Sequence, residues 1–401
     1  MGEDCRAYRE SFVDACLVGA APEARAWLRR LQEAIDEVVA PNAMRTDREQ
    51  RYPSESVCVL RQIGAFGVNA PLEAGGLGFG NAMAALAIES VASACASTAA
   101  ILMFHAQVTR RVIQFGTSRQ QEEDLPLLAT GQWLASSAWT EAAAGADKSQ
   151  ISTRVDGVAG QRTVTGEKTF CTGLEGASLI HVLVSARRPD ETMAPAFIRV
   201  LRGSSGVAVT DIYSLLGLRG SSTGTLRLEA TPVEEADFVG EIGQGMKLLQ
   251  ANHEVLLNPG LLALGLARAA YEDAKCVARG LPEGMRDLTG FQNVRFVLAE
   301  MEITLGTLYS YAAHAVHHSH AGRAEAHMEC NKFKAYASRT AARVTESAME
   351  LLGSRGFTTA LPVERYFRDT RATLAMGPSN ELIKERVAGQ ILAETARGRL
   401  Q

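Results

Sequence analysis

The sequence predicts an α+β fold that is mainly helical, with its parts in the order helices, β-strands, helices. Residues 23–135 are rich in Ala, Leu and Val with few β-branched runs, a texture typical of helices. From Ser136 the chain changes to short β-branched segments separated by Gly, Asp and Pro about every ten residues, which predicts an antiparallel sheet. After Gly245 the helical pattern returns. We therefore expect a helical domain over residues 1–135, a β domain over 136–240 and a second helical domain over 241–401.

Composition narrows the classes of function. The 401 residues are 46% hydrophobic and 21% charged, which is ordinary for a soluble globular protein. A net charge of −4 without a basic block argues against a nucleic-acid partner. The opening stretch MGEDCRAYRESF is acidic, and no apolar run reaches the length of a membrane span, so we expect neither a signal peptide nor a membrane segment. The seven cysteines are scattered without CxxC spacing, which favours a reducing, cytoplasmic environment.

The first helical part contains two recognisable patterns. Trp27, Leu31, Ile35 and Val38 recur at helical spacing, which predicts a helix with one apolar face, and Pro41 is expected to end it. Further along, the loop NAPLEAGGLGFGN leads into a long run that is apolar nearly all round. Such a run predicts a buried pair of helices.

The β domain opens with SSAWTEAAAGAD, residues 136–147. Thr140 and Glu141 precede small residues that allow a backbone to lie close against a flat or large ligand. The spacing differs from that of the common phosphate-binding fingerprints. Taken by itself, the segment is better explained as an ordinary loop.

A helix break near the C-terminus, LAMGPSNEL, separates two segments that are rich in helix formers. Its centre consists of Gly377, Pro378, Ser379 and Asn380, which favour turns and caps over helix interiors. Either two helices need a connector here, or a short constrained loop contacts a ligand.

The histidine-rich run HAVHHSH is a candidate metal site. His314, His317 and His318 share one helical face, a spacing that can bind a metal ion. The sequence places no carboxylate nearby that completes a ligand set. We predict no metal.

Five segments, in order along most of the chain, resemble motifs of the acyl-CoA dehydrogenase family. They are PLEAGGLGFG, FGTSRQQEEDLPLLATGQW, WTEAAAGAD, TVTGEKTFCTG and LLGSRGFTTALPVERYFRDTR. The resemblance implies a helical domain, a β domain and a C-terminal four-helix bundle, assembled as a homo-oligomer (dimer or tetramer) that binds FAD. It also implies a reaction in which a base removes the α-proton of an acyl thioester while the β-hydrogen leaves as hydride to the flavin. Because an α-CH is a weak acid, hydrogen-bond donors must stabilise the developing enolate.

The resemblance assigns cofactor contacts to individual residues. Trp139 and Thr140 take the positions of strand backbone and a hydroxyl beside the flavin pyrimidine. Phe170 replaces the tryptophan that is usual beside the ring, unless it is simply a residue of the β-domain core, and Thr172 keeps a hydroxyl. The other assigned residues lie in later motifs: Arg279, Gln292, Glu350, Gly353 and Ser379.

Two of the later motifs depart from the family pattern. Residues 281–285 read LPEGM and lack the arginine that usually contacts the pyrophosphate; Arg279 and Arg286 are the candidates to replace it. Glu350 stands where glutamine is usual, and a carboxylate near a diphosphate is unfavourable. We expect weaker or rearranged cofactor contacts.

The usual catalytic base of the family falls on Gly377, which has no group to accept a proton. Its backbone N–H can still donate to the thioester oxygen. A subset of the family, isovaleryl-type enzymes among them, carries the base on the first helix of the bundle, and the alignment there falls on Val255 or Leu256. Glu254 is adjacent, and an apolar surrounding raises the pKa of a carboxyl group, which suits a base near neutral pH. We predict that Glu254 is the base, the alternative being that it faces solvent at a helix start.

Two neighbouring residues are weaker candidates for the base. His253 precedes Glu254 directly. Glu381 is better explained as a first-turn acid of a helix that Ser379 or Asn380 caps.

The predicted function is FAD-dependent α,β-dehydrogenation of an acyl thioester on CoA or an acyl carrier protein, with electron-transfer flavoprotein or O₂ as electron acceptor. The pattern G-P-[ST]-x-[DE]-x-[IL] at the helix break resembles members of the family from bacterial secondary metabolism, including polyketide extender-unit synthesis. Two alternatives remain open. One is a flavin-dependent monooxygenase on the same fold, which needs no α-proton abstraction, and the other is a non-catalytic homologue that acts as a partner protein.

Overall fold

The N-terminal part of the chain is helical, as the sequence predicts. The structure, a computed structural model, describes residues 3–18, 22–144, 150–158, 160–281, 286–323 and 325–398. The first helices are α1 (Glu3–Leu17), α2 (Glu23–Ala34), α3 (Ala40–Glu49), α4 (Ser54–Gln62), α5 (Gly80–Ala94), α6 (Ala96–Phe115) and α7 (Ser118–Ala129).

The prediction that Pro41 ends the first long helix is wrong. Ile35–Val39 forms a π-helical turn after α2. Helix α3 follows directly, and Pro41 is its second residue. The helical stretch runs on without a break, and Pro41 lies just after the π turn, in which the Ala40 N–H bonds to the Ile35 carbonyl. A π turn is the kind of irregularity at which a helix accommodates a residue that lacks an N–H.

The predicted apolar face is nonetheless correct for Trp27, Leu31 and Ile35, which are buried. It is wrong for Val38, which is only half-buried, because after the π turn Val39 takes the buried position.

The predicted buried helix pair is α5 and α6, whose residues are nearly all buried in α5 and mostly buried in α6. Helix α5 packs against α9 (Glu254–Ala278), the first long helix of the C-terminal part. Small residues make this close packing possible. A Cβ on Gly265 of α9 would lie 2.3 Å from the carbonyl oxygen of Glu89, so only glycine fits there.

The central part is a β-sheet. Its strands are β1 (Leu134–Ala138), β2 (Arg154–Asp156), β3 (Arg162–Cys171), β4 (Ala177–Arg187), β5 (Met193–Leu201), β6 (Val207–Ile212), β7 (Gly224–Val233) and β8 (Phe238–Val239). The long strands are β3, β4, β5 and β7. The order is β6-β7-β3-β2-β4-β5-β8, and β1 also pairs with β4. Both β1 and β2 run parallel to β4, so the sheet is mixed rather than wholly antiparallel as predicted.

The C-terminal part is a helical bundle. Besides α9, its helices are α8 (Gly245–Ala251), α10 (Gln292–His320), α11 (Ala326–Leu351), α12 (Val363–Ala375) and α13 (Asn380–Gly398). Helix α11 contacts α9, α10, α12 and α13. A Cβ on Gly260, near the start of α9, would lie 2.6 Å from the ring of Phe333, near the start of α11, so these two helices begin at the same end.

The bundle therefore has two distinct ends. The near end holds the starts of α9, α11 and α13 together with the end of α12, and the far end holds the end of α9 and the start of α10. The helix break at residues 376–379 connects α12 to α13 at the near end. This order of helices, sheet and bundle confirms the predicted α+β, mainly helical fold. None of the helices in the described ranges combines the length and the apolar character needed to cross a bilayer.

Candidate active site

Two cavities meet at the near end of the bundle. The large cavity, about 500 Å³, lies between the sheet, α6 and α12, and the small cavity, about 290 Å³, lies between α8, α9, α11 and α13. Both are lined by Trp139, Thr140, Val255, Ala375 and Gly377. The helix break is thus a connector between helices and also the wall where the two cavities join.

The large cavity has one wall from the β domain and one from the helices. The β domain contributes Thr169, Phe170, Thr172 and the loop residues 215–218. The helices contribute mainly apolar side chains together with a few polar ones: Met103, Phe104, Gln107, Pro259, Arg368, Arg371 and Ala372. This lining suits a ligand with a flat ring and a short apolar chain.

Phe170 is the most unusual residue of this lining. Its side chain is 64% exposed, and its φ of +55° lies in the left-handed region that a bulky residue rarely adopts. Its ring centroid lies 5.1 Å from that of Tyr213. The exposure rules out a place in the β-domain core. A strained, exposed aromatic ring beside a cavity indicates a surface that a ligand covers.

A buried ion pair fixes the loop that carries Thr140. Glu141 accepts a 2.6 Å bond from Lys168 Nζ and further bonds from the N–H and hydroxyl of Ser152. Burial by itself raises the pKa of Glu141, but the bonds from Lys168 and Ser152 outweigh it and lower the pKa to about 2. The Thr169 N–H then donates to the Thr140 carbonyl at 2.8 Å, while the buried Thr169 Oγ1 has no partner among the described residues. Both threonines are held rigidly at the cavity wall.

The structure places a buried cation behind Trp139 that the sequence did not predict. The Arg111 guanidinium stacks on Phe197 with 4.3 Å to the ring centroid and lies 5.9 Å from the Trp139 ring. Both Arg111 and the Trp139 indole N–H donate to Ser137 Oγ. Burial lowers the pKa of Arg111 to about 9. An arginine inside a helix carries no local pattern that marks it as buried, so only the fold reveals it.

Gly377 adopts a conformation that favours glycine. Its φ is +67°, and a Cβ there would lie 3.4 Å from the carbonyl oxygen of Val255. Within the described part of the chain its N–H has no hydrogen-bond acceptor. This N–H is therefore a free donor at the junction of the two cavities.

Glu254 is the first residue of α9, directly before Val255, which lines both cavities. Its side chain lies outside the described residues. The assignment of Glu254 as the base therefore stays a prediction, and its backbone position places it beside Gly377.

The two weaker base candidates have different surroundings. The ring of His253 lies 6.3 Å from that of His327, and burial, followed by the charges of His327 and Arg110, lowers the pKa of His253. Glu381 is exposed in the first turn of α13 and lies 3.7 Å from Lys384. That position agrees with a first-turn acid at a helix start.

Ser379 takes the capping position at this helix start. Its hydroxyl accepts a bond from the N–H of Leu382 at 3.3 Å. Ser379 also lines the small cavity, together with Pro378, His327 and Arg386.

The other residues assigned to the cofactor do not join this site in one chain. Arg279 and Gln292 are exposed at the far end, where α9 ends and α10 begins. Glu350 and Gly353 are exposed at the end of α11, also at the far end. Helix α9 spans 25 residues, or about 36 Å, between the two ends. Residues 282–285 of the altered pyrophosphate segment lie outside the described residues.

The histidine-rich run has a carboxylate neighbour that the sequence did not reveal. Glu329 at the start of α11 lies 3.5 Å from His314 Nε2, but Lys332 also holds that carboxylate at 2.8 Å. In the described ranges, no set of three potential metal ligands converges.

Comparison with known proteins supports the similarity on which these assignments rest. Family models of the acyl-CoA dehydrogenase N-terminal, middle and C-terminal domains match residues 21–132, 136–231 and 252–392. The chain is 26% identical to the acryloyl-CoA reductase (NADH) of Anaerotignum propionicum, over 91% of this chain and 93% of that protein. It is also 26% identical to the short-chain-specific acyl-CoA dehydrogenase of Clostridium acetobutylicum, over 90% of this chain and 96% of that protein. The solved butyryl-CoA dehydrogenase of Megasphaera elsdenii is similar with a TM-score of 0.87 and 25% identity, over 93% of this chain and 98% of that chain.

Proposed function

Because the chain belongs to the acyl-CoA dehydrogenase family, whose members are FAD-dependent oxidoreductases of CH–CH bonds, we propose that it oxidises the α,β-bond of a short acyl thioester. The observation that carries the proposal is the meeting of two cavities at the free N–H of Gly377. In this arrangement the large cavity takes the flavin ring and the acyl group. The small cavity takes the arm that carries the thioester.

The residues of the large cavity fit a flavin ring. Phe170 offers an exposed aromatic face, and Leu216 on the opposite loop is 66% exposed. Thr140, Thr169 and Thr172 supply polar groups for the edge of the ring. When bound, FAD supplies the acceptor for the hydrogen that leaves the β-carbon.

The protein's own part in the reaction is to remove the α-proton and stabilise the charge that this creates. We assign Glu254 as the base that takes the proton, because its backbone precedes a residue lining both cavities. The N–H of Gly377 donates to the thioester oxygen, where negative charge develops. A donor held in a site that excludes water is worth far more than the same donor in water. Two neighbouring segments thus share the tasks of base and donor.

We propose a pantetheine arm in the small cavity, attached to CoA or to an acyl carrier protein. The small cavity runs from Gly377 past Ser379 toward Arg386 and His327. Arg386 offers positive charge to a phosphate on the arm, while burial lowers the pKa of His327 and favours its neutral ring. The motif beginning at Gly377 supports a carrier-bound acyl group and a role in secondary metabolism, such as polyketide extender-unit synthesis. Electron-transfer flavoprotein or O₂ serves as the final electron acceptor.

A flavin-dependent monooxygenase is the second candidate function. The observation that favours it is Gly377 itself, since the residue at this wall of the site has no side chain to accept a proton. Oxygenation by a reduced flavin needs no such base.

We further propose that the protein is a homo-oligomer, a dimer or tetramer, in which one copy completes the cofactor site of another. Residues with proposed cofactor contacts lie at opposite ends of the bundle within one chain. The far end and the first half of α10 also expose large apolar side chains: Leu281, Phe291, Phe296, Ile303 and Phe357. A partner copy that covers this surface would bury them and bring Arg279 and Gln292 to the partner's large cavity.

The experiment that tests the function begins with the absorption spectrum of the purified protein. We expect a flavin spectrum that bleaches when short acyl thioesters of CoA or of pantetheine are added without oxygen, with a product lighter by two hydrogens. A product that gains an oxygen atom, formed only with O₂ and reduced flavin, would identify the monooxygenase. Protein that binds no flavin at all would overturn both functions and leave a non-catalytic partner protein.

A further inference from the structure

A buried lysine holds the helix break that forms the wall of the active site. Lys334 on α11 is fully buried, and its ammonium group donates three hydrogen bonds. The acceptors are the carbonyl oxygens of Leu374 at 3.3 Å and Pro378 at 2.9 Å and the side-chain oxygen of Asn380 at 3.0 Å. They lie on both sides of Gly377 in the sequence, so one side chain fastens both ends of the short loop.

The acceptors explain how the lysine can be buried. Among the described residues, no carboxylate lies within ion-pair distance of Lys334. The carbonyl of Leu374 belongs to the last turn of α12, where backbone carbonyls lack helical partners and the helix dipole is negative. Asn380, the first residue of α13, also exchanges hydrogen bonds with Ser338 of α11 at 3.0 and 3.2 Å. Helix α11 thus joins the end of one helix to the start of the next.

A buried ammonium without a carboxylate partner is costly to keep. Burial lowers the pKa of Lys334 to about 8, against the opposing charge of Glu381. An apolar side chain of the same length would fill this space without that cost. Burial of the Lys334 ammonium group is explained if the loop of residues 374–380 must keep one conformation.

We propose that Lys334 is a positioning residue, which holds residues 374–380 so that the N–H of Gly377 stays aimed at the junction of the two cavities. The inference rests on the proposed function, because the thioester oxygen is the acceptor for that N–H. Lys334 is not itself among the residues that line either cavity, and it acts through the loop that it holds. Its effect falls on the step in which charge develops on the oxygen, rather than on binding of the ground state.

The expected size of the effect follows from geometry. Loss of one donor at a developing oxyanion costs about 10²–10³ in rate, and a misplacement of about 1 Å costs up to about 10². In Lys334→Met the donor remains but its loop is released. We therefore expect α-proton removal to slow by about 10- to 100-fold, while the dissociation constant of the thioester stays within about threefold.

The test measures proton removal without oxidation. The probe is (methylthio)acetyl-CoA, in which sulfur replaces the β-carbon so that no hydride can leave. Exchange of its α-protons in D₂O is followed by mass spectrometry on the FAD-bound protein, and its dissociation constant is measured by titration. Lys332→Met, two positions away on the same helix and partly exposed, is the matched control and should exchange like the wild type.

The outcomes separate this inference from the proposed function. Slow exchange in Lys334→Met with normal binding, FAD content and Tm supports the positioning role. Exchange within about twofold of the wild type per FAD-bound molecule overturns it. If Lys334→Met does not fold, Asn380→Ala decides, since it removes one acceptor and keeps the charge; we expect about threefold slower exchange, and an unchanged rate would overturn the role. Wild-type protein that binds FAD and exchanges nothing would overturn the proposed function, and this inference with it.

Discussion

At residue 377 the chain has a glycine where the resemblance predicts the usual catalytic base. The carboxylate that we propose instead is Glu254, at the start of the neighbouring helix α9. The backbone of α9 begins at Glu254, and Val255 lines both cavities. We expect Glu254→Gln to slow α-proton removal by about 10²–10⁴, the usual contribution of a general base. FAD content and Tm should stay unchanged, because the amide keeps the shape of the side chain.

The measurement is the same α-proton exchange, with Glu381→Gln as the control. Glu381 is exposed beside Lys384 and outside both cavity linings, so its variant should exchange at the wild-type rate. Full exchange in Glu254→Gln would show that the base is another group.

The backbone of Gly377 makes a second prediction at the scale of one residue. An L-residue in the left-handed region costs about 1–2 kcal/mol. We therefore expect Gly377→Ala to lower the free energy of unfolding by that amount, although a Cβ there meets only the carbonyl oxygen of Val255 at 3.4 Å. Urea denaturation measures the change.

Gly389→Ala is the matched control for Gly377→Ala. Gly389 lies within α13, and a Cβ there would meet nothing within 4 Å. Because alanine is the better helix former by about 0.5–1 kcal/mol, this variant should be more stable than the wild type. The same sign for both substitutions would contradict the strained conformation of Gly377.

At the scale of elements, one buried carboxylate joins four helices. Glu89 of α5 accepts 2.7 Å bonds from Arg268 of α9 and from the Tyr309 hydroxyl of α10. Arg9 of α1 lies 3.6 Å from its second oxygen. Burial by itself raises the pKa of Glu89, but Arg268 and Arg9 outweigh it and lower the pKa to about 2.

This carboxylate predicts how stability depends on pH. Between pH 2 and its ordinary value of 4.5, the unfolded state binds a proton at Glu89 that the folded state does not. The free energy of unfolding therefore rises with pH across that window. As the pH falls through the window, the protein loses the stabilisation that Glu89 contributes, up to about 3 kcal/mol. Urea denaturation between pH 3 and pH 6 measures the free energy of unfolding at each pH. We expect this free energy to rise less steeply with pH in Glu89→Gln than in the wild type. Glu381→Gln, an exposed control, should keep the wild-type slope.

Short sequence patterns correctly predicted the helices that have the same surroundings along their whole length. The apolar runs of α5 and α6 predicted a buried pair because both helices are surrounded by protein. The π turn before Pro41 and the parallel pairing of β1 and β2 with β4 depend on packing between distant segments, which no short pattern records.

The same distinction holds for the candidate site. The family motifs predicted that Trp139, Thr140, Phe170, Thr172 and Gly377 belong to one site. In the structure all five line the large cavity. Among the buried cations that the sequence did not predict are Lys334 behind the helix break and Arg111 behind the indole ring. In the sequence each is one polar residue on a helix, where a solvent-exposed position is the usual expectation.

At the scale of the whole molecule, the far end of the bundle and the adjoining half of α10 form the surface that we propose a second copy covers. Phe296 and Ile303 of α10 are 59% and 67% exposed and stand seven residues apart, so they share one face of the helix. Phe357, in the segment after α11, is 85% exposed. Apolar side chains grouped in this way usually mark a protein interface. Arg279 and Gln292, with proposed contacts to FAD, lie at this same end.

We expect the double variant Phe296→Glu, Ile303→Glu to break the oligomer, because it places two carboxylates in a desolvated interface. Light scattering after size exclusion should show a smaller mass than the wild type. Since one copy is proposed to complete the cofactor site of another, the variant should also lose FAD on dilution, which spectroscopy and ultrafiltration measure. Leu392→Glu on α13, a residue 69% exposed, is the control and should keep both mass and FAD. A wild type that is monomeric and retains FAD, or a double variant with unchanged mass, would contradict the shared site.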